Sequence, residues 1–271
     1  MSRRHYLLLL ATLALLAAAI LHTRWPAPSH PPPPSTAAGG GFTLTVLVDN
    51  HPYRRGLETA WGFSLLVSRQ GRYILFDTGP SPRVLEENAA RLGVDLSRVS
   101  VIVVSHRHMD HCGGLPALPR AAQLYIPPDP WLASYAEGLG FNPVEVNNTR
   151  RVAPGVYVLA PLYGPPWEVA LALVTGRGVV VVTGCAHPGV VGFVREALRL
   201  GRVYMVIGGF HLAGAPAGVV RGVVEELVSL GVEKIAPLHC SGEAIVEYLR
   251  ERHPGMLVEA GVGYTLRLPG G

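Results

Sequence analysis

The 271-residue chain is poor in charged residues, in cysteine and in lysine, of which it has one. Only 15% of the residues are charged and 49% are apolar, which excludes an intrinsically disordered chain. Three cysteines, Cys112, Cys185 and Cys240, are too few and too scattered for a disulfide framework. The composition therefore predicts one globular domain with a full apolar core, plus an appendage.

Positive charge is in small excess, and part of that excess lies near the N-terminus. The formal net charge is +4, and Arg3, Arg4 and Arg24 flank the first apolar segment. Residues 42–271 are therefore close to neutral. We expect no nucleic-acid partner, because such binding depends on a basic surface.

The N-terminal segment predicts contact with a membrane. Arg3 and Arg4 precede an uncharged apolar run, residues 6–21, which is typical of a signal anchor or of a cleaved signal peptide. A buried helix of the domain is the third interpretation. The basic residues before the run would keep the N-terminus in the cytoplasm. The domain that follows is then expected to be membrane-anchored and extracytoplasmic, or secreted if the segment is cleaved.

Three parts follow from this reading of the chain. Residues 1–24 are the signal anchor or signal peptide, and residues 25–41 are a linker rich in proline and glycine. Residues 42–271 are the globular domain.

Apolar runs rich in β-branched residues alternate with amphipathic segments after residue 41. Strands are predicted at 43–48, 62–68, 73–76, 101–105, 123–126, 156–160, 170–175, 179–183, 203–207, 233–236 and 264–268. Helices are predicted from Ser81 to Gly93 and at 189–200, 216–230 and 242–252. This order predicts an α/β fold with two sheets face to face and helices outside.

A histidine-rich motif follows the apolar strand at 101–105. It reads His106-Arg107-His108-Met109-Asp110-His111 and is followed by Cys112-Gly113-Gly114. Alternating histidines on an extended segment project together, so His106 and His108 can bind one metal ion. Asp110 and His111 can reach a second ion. Imidazole nitrogen and carboxylate oxygen are ligands that zinc takes in proteins.

Three further histidines come at the ends of later apolar strands. His187 lies in Thr183–His187, His211 ends Gly208–His211, and His239 lies in Pro237–Cys240. Because α/β sheets build their sites at strand ends, His187 and His239 are predicted metal ligands. For His211 the pattern leaves open a ligand or catalytic role, a substrate contact and a structural role.

Two polar residues upstream are candidates for supporting roles. Asp77, in Phe76–Gly79, can accept a hydrogen bond from a ligand histidine, or it can cap the following helix. Asn50 can contact substrate or satisfy a loop. All three cysteines lie within two residues of a motif histidine, which favours a place in the wall of the site.

The H-x-H-x-D-H motif, the string Phe76–Gly79 and the late His239 together resemble the metallo-β-lactamase superfamily. The likeness spans nearly all of residues 42–268. Further strings resemble the branch named for 7,8-dihydropterin-6-yl-methyl-4-(β-D-ribofuranosyl)aminobenzene 5′-phosphate synthase: Leu47–Asn50, Thr183–Gly189, Gly208–Leu212 and His239–Gly242.

This resemblance implies an αββα four-layer sandwich, here with an N-terminal hydrophobic helix, and a site at one edge between the sheets. It implies two divalent metal ions, zinc before iron or manganese. The first would bind His106, His108 and His187; the second would bind Asp110, His111 and His239. Many members carry a bridging aspartate where this chain has Cys185, so either a thiolate or a water would bridge.

Three functions are consistent with this reading. The first is a dinuclear hydrolase of an ester, lactone or phosphoester, with Asp110 and His211 in catalysis and a small-molecule substrate. The second is a transferase of the named branch, which displaces diphosphate. The predicted outward location argues against it, since phosphorylated biosynthetic substrates are in the cytoplasm. The third is a non-catalytic, membrane-tethered metal-binding domain.

Overall fold

The computed structural model describes residues 40–270. Within this range the helices are α1 (Pro82–Arg91), α2 (Met109–Cys112), α3 (Pro130–Gly138), α4 (Val190–Ala197), α5 (Ala217–Ser229) and α6 (Glu243–Arg252). The strands are β1 (Phe42–Val48), β2 (Ser64–Arg69), β3 (Arg72–Phe76), β4 (Val99–Val103), β5 (Gln123–Ile126), β6 (Pro143–Glu145), β7 (Arg150–Ala153), β8 (Val156–Val158), β9 (Leu162–Tyr163), β10 (Trp167–Glu168), β11 (Leu171–Thr175), β12 (Gly178–Thr183), β13 (Val203–Gly209), β14 (Lys234–Leu238) and β15 (Thr265–Leu268).

Two large mixed sheets and one small hairpin form from these strands of residues 40–270. The first sheet has the order β15-β1-β2-β3-β4-β5-β6, and its strands β3 to β6 run parallel. The second has the order β14-β13-β12-β11-β8-β7, with β12, β13 and β14 parallel. The hairpin pairs β9 with β10. Parallel strands place their carboxyl ends at one edge, where sites form in such sheets.

The apolar core between the two sheets follows from the alternation of side chains along their strands. Leu65 and Val67 of β2 face this interior, as do Val180 and Val182 of β12. The residues between them point outward, and there they are covered by helices. The strands are therefore apolar on both faces, which explains their nearly continuous apolar sequence.

Helices cover the outer face of each sheet. Leu85 of α1 and Leu132 of α3 pack on the first sheet. Phe193 of α4, Leu227 of α5 and Leu249 of α6 pack on the second sheet. The predicted sandwich of two sheets with helices outside is confirmed.

Several short elements were not predicted. Most lie in the proline-rich region after residue 115, namely α3, β6, β7, β9 and β10, and the one-turn helix α2 lies within the histidine motif. The predicted helices agree with α1, α4, α5 and α6 to within a few residues, since each has a clear amphipathic pattern.

The predicted membrane location is corrected by the structure. No helix among residues 40–270 is long and apolar enough to cross a membrane. The apolar run at 6–21, from which the anchor and N-terminal helix were predicted, lies outside the described residues. The N-terminal helix is therefore not supported, and the division at residues 24 and 41 stays a prediction.

Candidate metal centre

Segments that follow the carboxyl ends of four strands converge at one edge of the sandwich. The histidine motif follows β4 of the first sheet, and Cys185 and His187 follow β12 of the second. His211 follows β13, and His239 follows β14. Because β12, β13 and β14 are parallel neighbours, their following segments must lie side by side.

One group of donor atoms consists of His106, His108 and His187. One ring nitrogen from each lies within 4.8 Å of the others. His106 Nε2 is 3.1 Å from His108 Nδ1. The ring centroid of His187 lies 4.6 Å from that of His106 and 5.0 Å from that of His108.

A second group consists of Asp110, His111 and His239. The Nε2 atoms of His111 and His239 are 3.3 Å apart. Asp110 Oδ2 lies 3.3 Å from His239 Nε2 and 3.6 Å from His111 Nε2. Cys185 Sγ adds a further donor, 3.1 Å from His111 Nε2, and also falls into a group with His106 and His111.

The spacing of these donors fits metal ions. Ligands about 2.05 Å from a tetrahedral zinc ion are about 3.4 Å from one another. The four donor pairs His106–His108, His111–His239, Asp110–His111 and Asp110–His239 are 3.1 to 3.6 Å apart, which brackets that value. Imidazole, carboxylate and thiol groups are also the donor types that zinc and similar divalent metals take. Both groups therefore fit a divalent ion.

Asp77 fixes the two histidines at the start and end of the motif. Its Oδ2 lies 2.7 Å from His111 Nδ1 and accepts a hydrogen bond from the Ser105 hydroxyl. That hydroxyl in turn lies 2.9 Å from His106 Nδ1. Helix α1 is capped by Ser81 instead, so the capping alternative for Asp77 is wrong.

Glu168 is a buried carboxylate that the sequence did not reveal. It accepts hydrogen bonds from the backbone N–H groups of Cys185, Ala186 and His187, and its Oε2 lies 2.8 Å from His187 Nδ1. The side chain is fully buried. One carboxylate thus sets both the backbone turn after β12 and the orientation of the His187 ring.

Asp49 and Asn50 fix His239 in the same way. Asp49 Oδ2 accepts the backbone N–H of His239. The Asn50 side chain donates to the His239 carbonyl and places its oxygen 2.8 Å from His239 Nδ1. Asn50 therefore contacts a histidine of the centre, where the sequence left a substrate contact or a loop role open. The importance of Asp49 was not predicted.

The backbone is left-handed at several turns of the centre. Positive φ angles occur at Asp77 (54°), Ala186 (55°), His211 (53°) and His239 (47°). An L residue in this conformation is destabilised by about 1–2 kcal/mol. Hydrogen bonds of Asp77, Glu168 and Asp49 offset this cost at residues 77, 186 and 239.

Burial and neighbouring charges shift the pKa values of several side chains of the centre. Burial lowers the pKa of His106 well below its ordinary value, and neighbouring histidines lower it further. Burial also acts to lower the pKa of His111, but the Asp77 carboxylate raises it to about 9. Burial acts to raise the pKa of Asp110, whereas the hydrogen bond to His239 and the charge of His111 lower it to about 2. Asp110 is therefore ionised at neutral pH.

His211 lies at the border of the centre, beside two cysteines. Its ring centroid is 4.5 Å from that of His187, and its side chain is exposed. On its other side it forms a group with Cys185 and Cys240. Cys112 is buried, and its thiol hydrogen-bonds to the Arg107 carbonyl oxygen and to Met109 Sδ, away from this group.

Comparison with known proteins agrees with this geometry. A family model described as the metallo-beta-lactamase superfamily matches residues 62–202, more than half of the chain. The chain is 26% identical to a 7,8-dihydropterin-6-methyl-4-(beta-D-ribofuranosyl)-aminobenzene-5'-phosphate synthase of Methanocaldococcus jannaschii, over 79% of this chain and 95% of that protein.

Solved structures show the same fold. The crystal structure of a metal-dependent hydrolase of the beta-lactamase superfamily has a TM-score of 0.71 and 26% identity, covering 83% of this chain and 98% of that one. The short form of human tRNase Z has a TM-score of 0.58 and 15% identity, covering 84% and 99%, a likeness of fold alone. On the family match, the fold and the motif, the chain belongs to the metallo-beta-lactamase superfamily.

Proposed function

We propose that the chain is a hydrolase that uses two divalent metal ions, zinc in the first place, on an ester, lactone or phosphoester. Its family and its relatives support an enzyme, and family membership implies divalent metal binding. The observation that carries the proposal is the pair of adjacent donor groups, His106, His108 and His187 beside Asp110, His111 and His239.

The residues of the centre have separate tasks in this proposal. Metal ions bound there would lower the pKa of water and stabilise negative charge on a carbonyl or phosphoryl oxygen. Asp110 is ionised and its side chain is 21% exposed, so it can accept a hydrogen bond from an attacking water and orient it. Asp77, Glu168 and Asn50 keep the histidine rings in place.

An exposed aromatic side chain supports a small organic substrate. Trp61 is 59% exposed, although its ring centroid lies 4.8 Å from that of His239. A large apolar side chain exposed beside a polar centre is typical of a binding surface. We propose that Trp61 contacts the apolar part of the substrate.

Transfer with displacement of diphosphate is the second candidate. It is favoured by the similarity to the Methanocaldococcus jannaschii synthase, which extends over 95% of that protein. The predicted outward location was the objection to this reaction, and that location is not supported. The non-catalytic alternative is set aside, because the relatives are enzymes.

The first experiment is elemental analysis of the full-length protein beside two histidine variants. His108→Ala removes one of the proposed metal ligands. The control, His253→Ala, removes a histidine outside the centre that hydrogen-bonds to Glu225. We expect at least two metal ions per chain in the protein and in His253→Ala. His108→Ala should lose bound metal and hydrolytic activity together. Activity is assayed with phosphodiester, lactone and thioester substrates.

The outcomes separate the candidates. Hydrolysis that is lost only in His108→Ala supports the hydrolase. Full metal content without hydrolysis, but with metal-dependent release of diphosphate from a pterin diphosphate only when an aminobenzene ribofuranosyl phosphate is present to form the new C–N bond, favours the transferase. Protein that holds no divalent metal after loading would contradict both.

A further inference from the structure

Two thiols and one imidazole converge next to the donor groups already described. From them we infer a third metal site, formed by Cys185, Cys240 and His211, for one thiophilic cation. The two sulfur atoms and a ring nitrogen of His211 lie within 4.8 Å of one another. Both cysteines are free thiols and nearly buried, at 4% and 5% exposure.

The fold brings the two cysteines together across β13. Cys185 follows β12 and Cys240 follows β14, so the end of β13 passes between them. A Cβ atom at Gly209 would lie 2.8 Å from Cys240 Sγ and 3.2 Å from Cys185 Cα. Its nearest contact would be the Gly184 carbonyl oxygen, at 2.3 Å, so only glycine lets the end of β13 pass this closely between the two cysteine segments.

His211 is held over this pair by the backbone. The N–H groups of Leu212 and Ala213 both donate to the carbonyl of Cys240, at 3.2 and 3.1 Å. The left-handed φ of 53° at His211 turns the chain at this point. The Phe210 N–H also donates to Ser241 Oγ, which connects the two segments a second time.

The chemistry of the three donors selects the cation. Two sulfurs and one imidazole are soft or borderline ligands, which suit Zn²⁺ or Cu⁺ and are poor for Mg²⁺ or Ca²⁺. Each cysteine binds as a thiolate, so binding of one ion releases the two thiol protons to solvent. Because three protein ligands leave a fourth position free, and the His211 side chain is exposed, the ion can be reached from solvent.

Cys185 belongs to two groups at once. Its sulfur lies 3.1 Å from His111 Nε2, a donor of the proposed two-metal centre. Cys240 and His211 fall outside both of those groups, so they distinguish the third site from the first two. His211 is then a ligand and not the catalytic group that the sequence suggested. The third site does not depend on the hydrolase activity.

Cobalt(II) is the probe for this site, since thiolate ligands give it an intense sulfur-to-metal absorption in the near ultraviolet. The full-length reduced protein is dialysed against Co²⁺, and bound cobalt and absorption are measured together. We expect Cys240→Ser to hold one cobalt fewer per chain than wild type and to lose part of the absorption. Cys112→Ser removes a buried cysteine that lies outside the proposed site, and it should match wild type in both bound cobalt and absorption.

Two further variants protect the test against misfolding. His211→Ala alters an exposed side chain and should weaken binding of the third cobalt by at least roughly tenfold, since loss of even a hydrogen-bond partner of a metal ligand has an effect of that size. His108→Ala should lose cobalt from the two-metal centre but keep the absorption that Cys240 contributes. If Cys240→Ser and His211→Ala bind as much cobalt as wild type, with unchanged absorption, the third site does not exist.

Discussion

Each deep histidine of the metal centre is fixed through the ring nitrogen that faces away from its neighbouring donors. Asp77 holds His111, Glu168 holds His187, and Asn50 holds His239, each through Nδ1. The Nε2 atom is then the one left to face a cation. The orientation of the histidine rings therefore depends on these acceptors.

Replacement of Glu168 by glutamine tests this arrangement. Both carboxylate oxygens of Glu168 accept hydrogen bonds, whereas the amide of glutamine has only one oxygen. The backbone N–H groups of residues 185–187 and the His187 ring therefore lose some of their hydrogen bonds. We expect Glu168→Gln to lower metal affinity by about 10–100-fold, measured by competition with a chromogenic chelator. Glu145→Gln, at an exposed position, is the control, and equal affinity in both variants would contradict the role of Glu168.

The candidate metal ligands and the residues that orient them differ in how well the sequence predicts them. His106, His108, Asp110 and His111 are adjacent in the chain, and their spacing alone indicates a common site. Glu168 contacts amides 17 to 19 residues away, so its role depends on how β10 and β12 meet. Its only signal is that it is an isolated acidic residue before an apolar run. Such long-range pairings are set by tertiary structure, which local pattern does not encode.

Helix α1 and the loop at residues 49–61 form a unit next to the centre. The buried Asn88 side chain donates to the carbonyls of Leu47 and Glu58 and accepts from the Glu58 N–H. Arg83 bonds both oxygens of Glu58. This loop carries Asn50 and Trp61, so α1 positions one side of the site.

The Glu58–Arg83 pair makes a prediction about pH. The hydrogen bond from Arg83 lowers the pKa of Glu58 below its ordinary value of 4.5. Its contribution to stability is therefore present above about pH 4.5 and is lost as the pH falls through the lowered folded-state pKa. We expect Glu58→Gln to melt below wild type at pH 7, by a small amount because the pair is exposed, and the gap to close in acid. Glu86→Gln, on helix α1 with Arg83, should show no such pH-dependent gap.

The hairpin between β2 and β3 offers a stabilising change. Gln70 and Gly71 form its two-residue turn, with φ angles of 48° and 77°, while Arg69 pairs with Arg72. Asparagine tolerates this conformation better than glutamine. We expect Gln70→Asn to raise the free energy of unfolding by about 0.5 kcal/mol in urea titrations, with metal content unchanged. Gln70→Val should lower it, and the reverse order would contradict this account of the turn.

Elements with a strong pattern were predicted, and weakly patterned ones were not. Strand β12 and helix α5 have continuous apolar or amphipathic sequences, and both lie close to the predicted bounds. Helix α3 has an Asp129 cap and Pro130 in its first turn, yet it lies among prolines and was missed. Strands β9 and β10 have two residues each, too few to show a period.

The whole sandwich contributes donors from both of its sheets. The histidine motif follows β4 of the first sheet, whereas Cys185, His187 and His239 belong to the second. A cation bound by both sheets stabilises the folded state, because the unfolded chain does not hold these ligands together. The layered fold and this edge were predictable from element order and motif position, whereas the membrane location was not supported.

Metal removal tests this link between the sheets. At a free metal concentration about 100 times Kd, binding adds about 2.7 kcal/mol, which corresponds to about 5–10 °C in Tm for a domain of this size. We expect a chelator to lower the Tm of wild type and of His253→Ala by that amount, reversibly on return of zinc. His108→Ala should respond less. Equal melting with and without chelator, in protein verified to hold metal, would contradict a link between the sheets.

The left-handed residues at Asp77, Ala186, His211 and His239 also limit how the chain can evolve. Glycine would relax these turns, but at Asp77, His211 and His239 it would remove a side chain of the site. Random substitution can therefore raise stability more readily at surface turns, such as the one at Gln70, than at the left-handed turns of the metal centre. The segments after β3, β13 and β14 should consequently show the lowest mutational robustness in the molecule, and a stabilised surface should widen the range of changes that they tolerate.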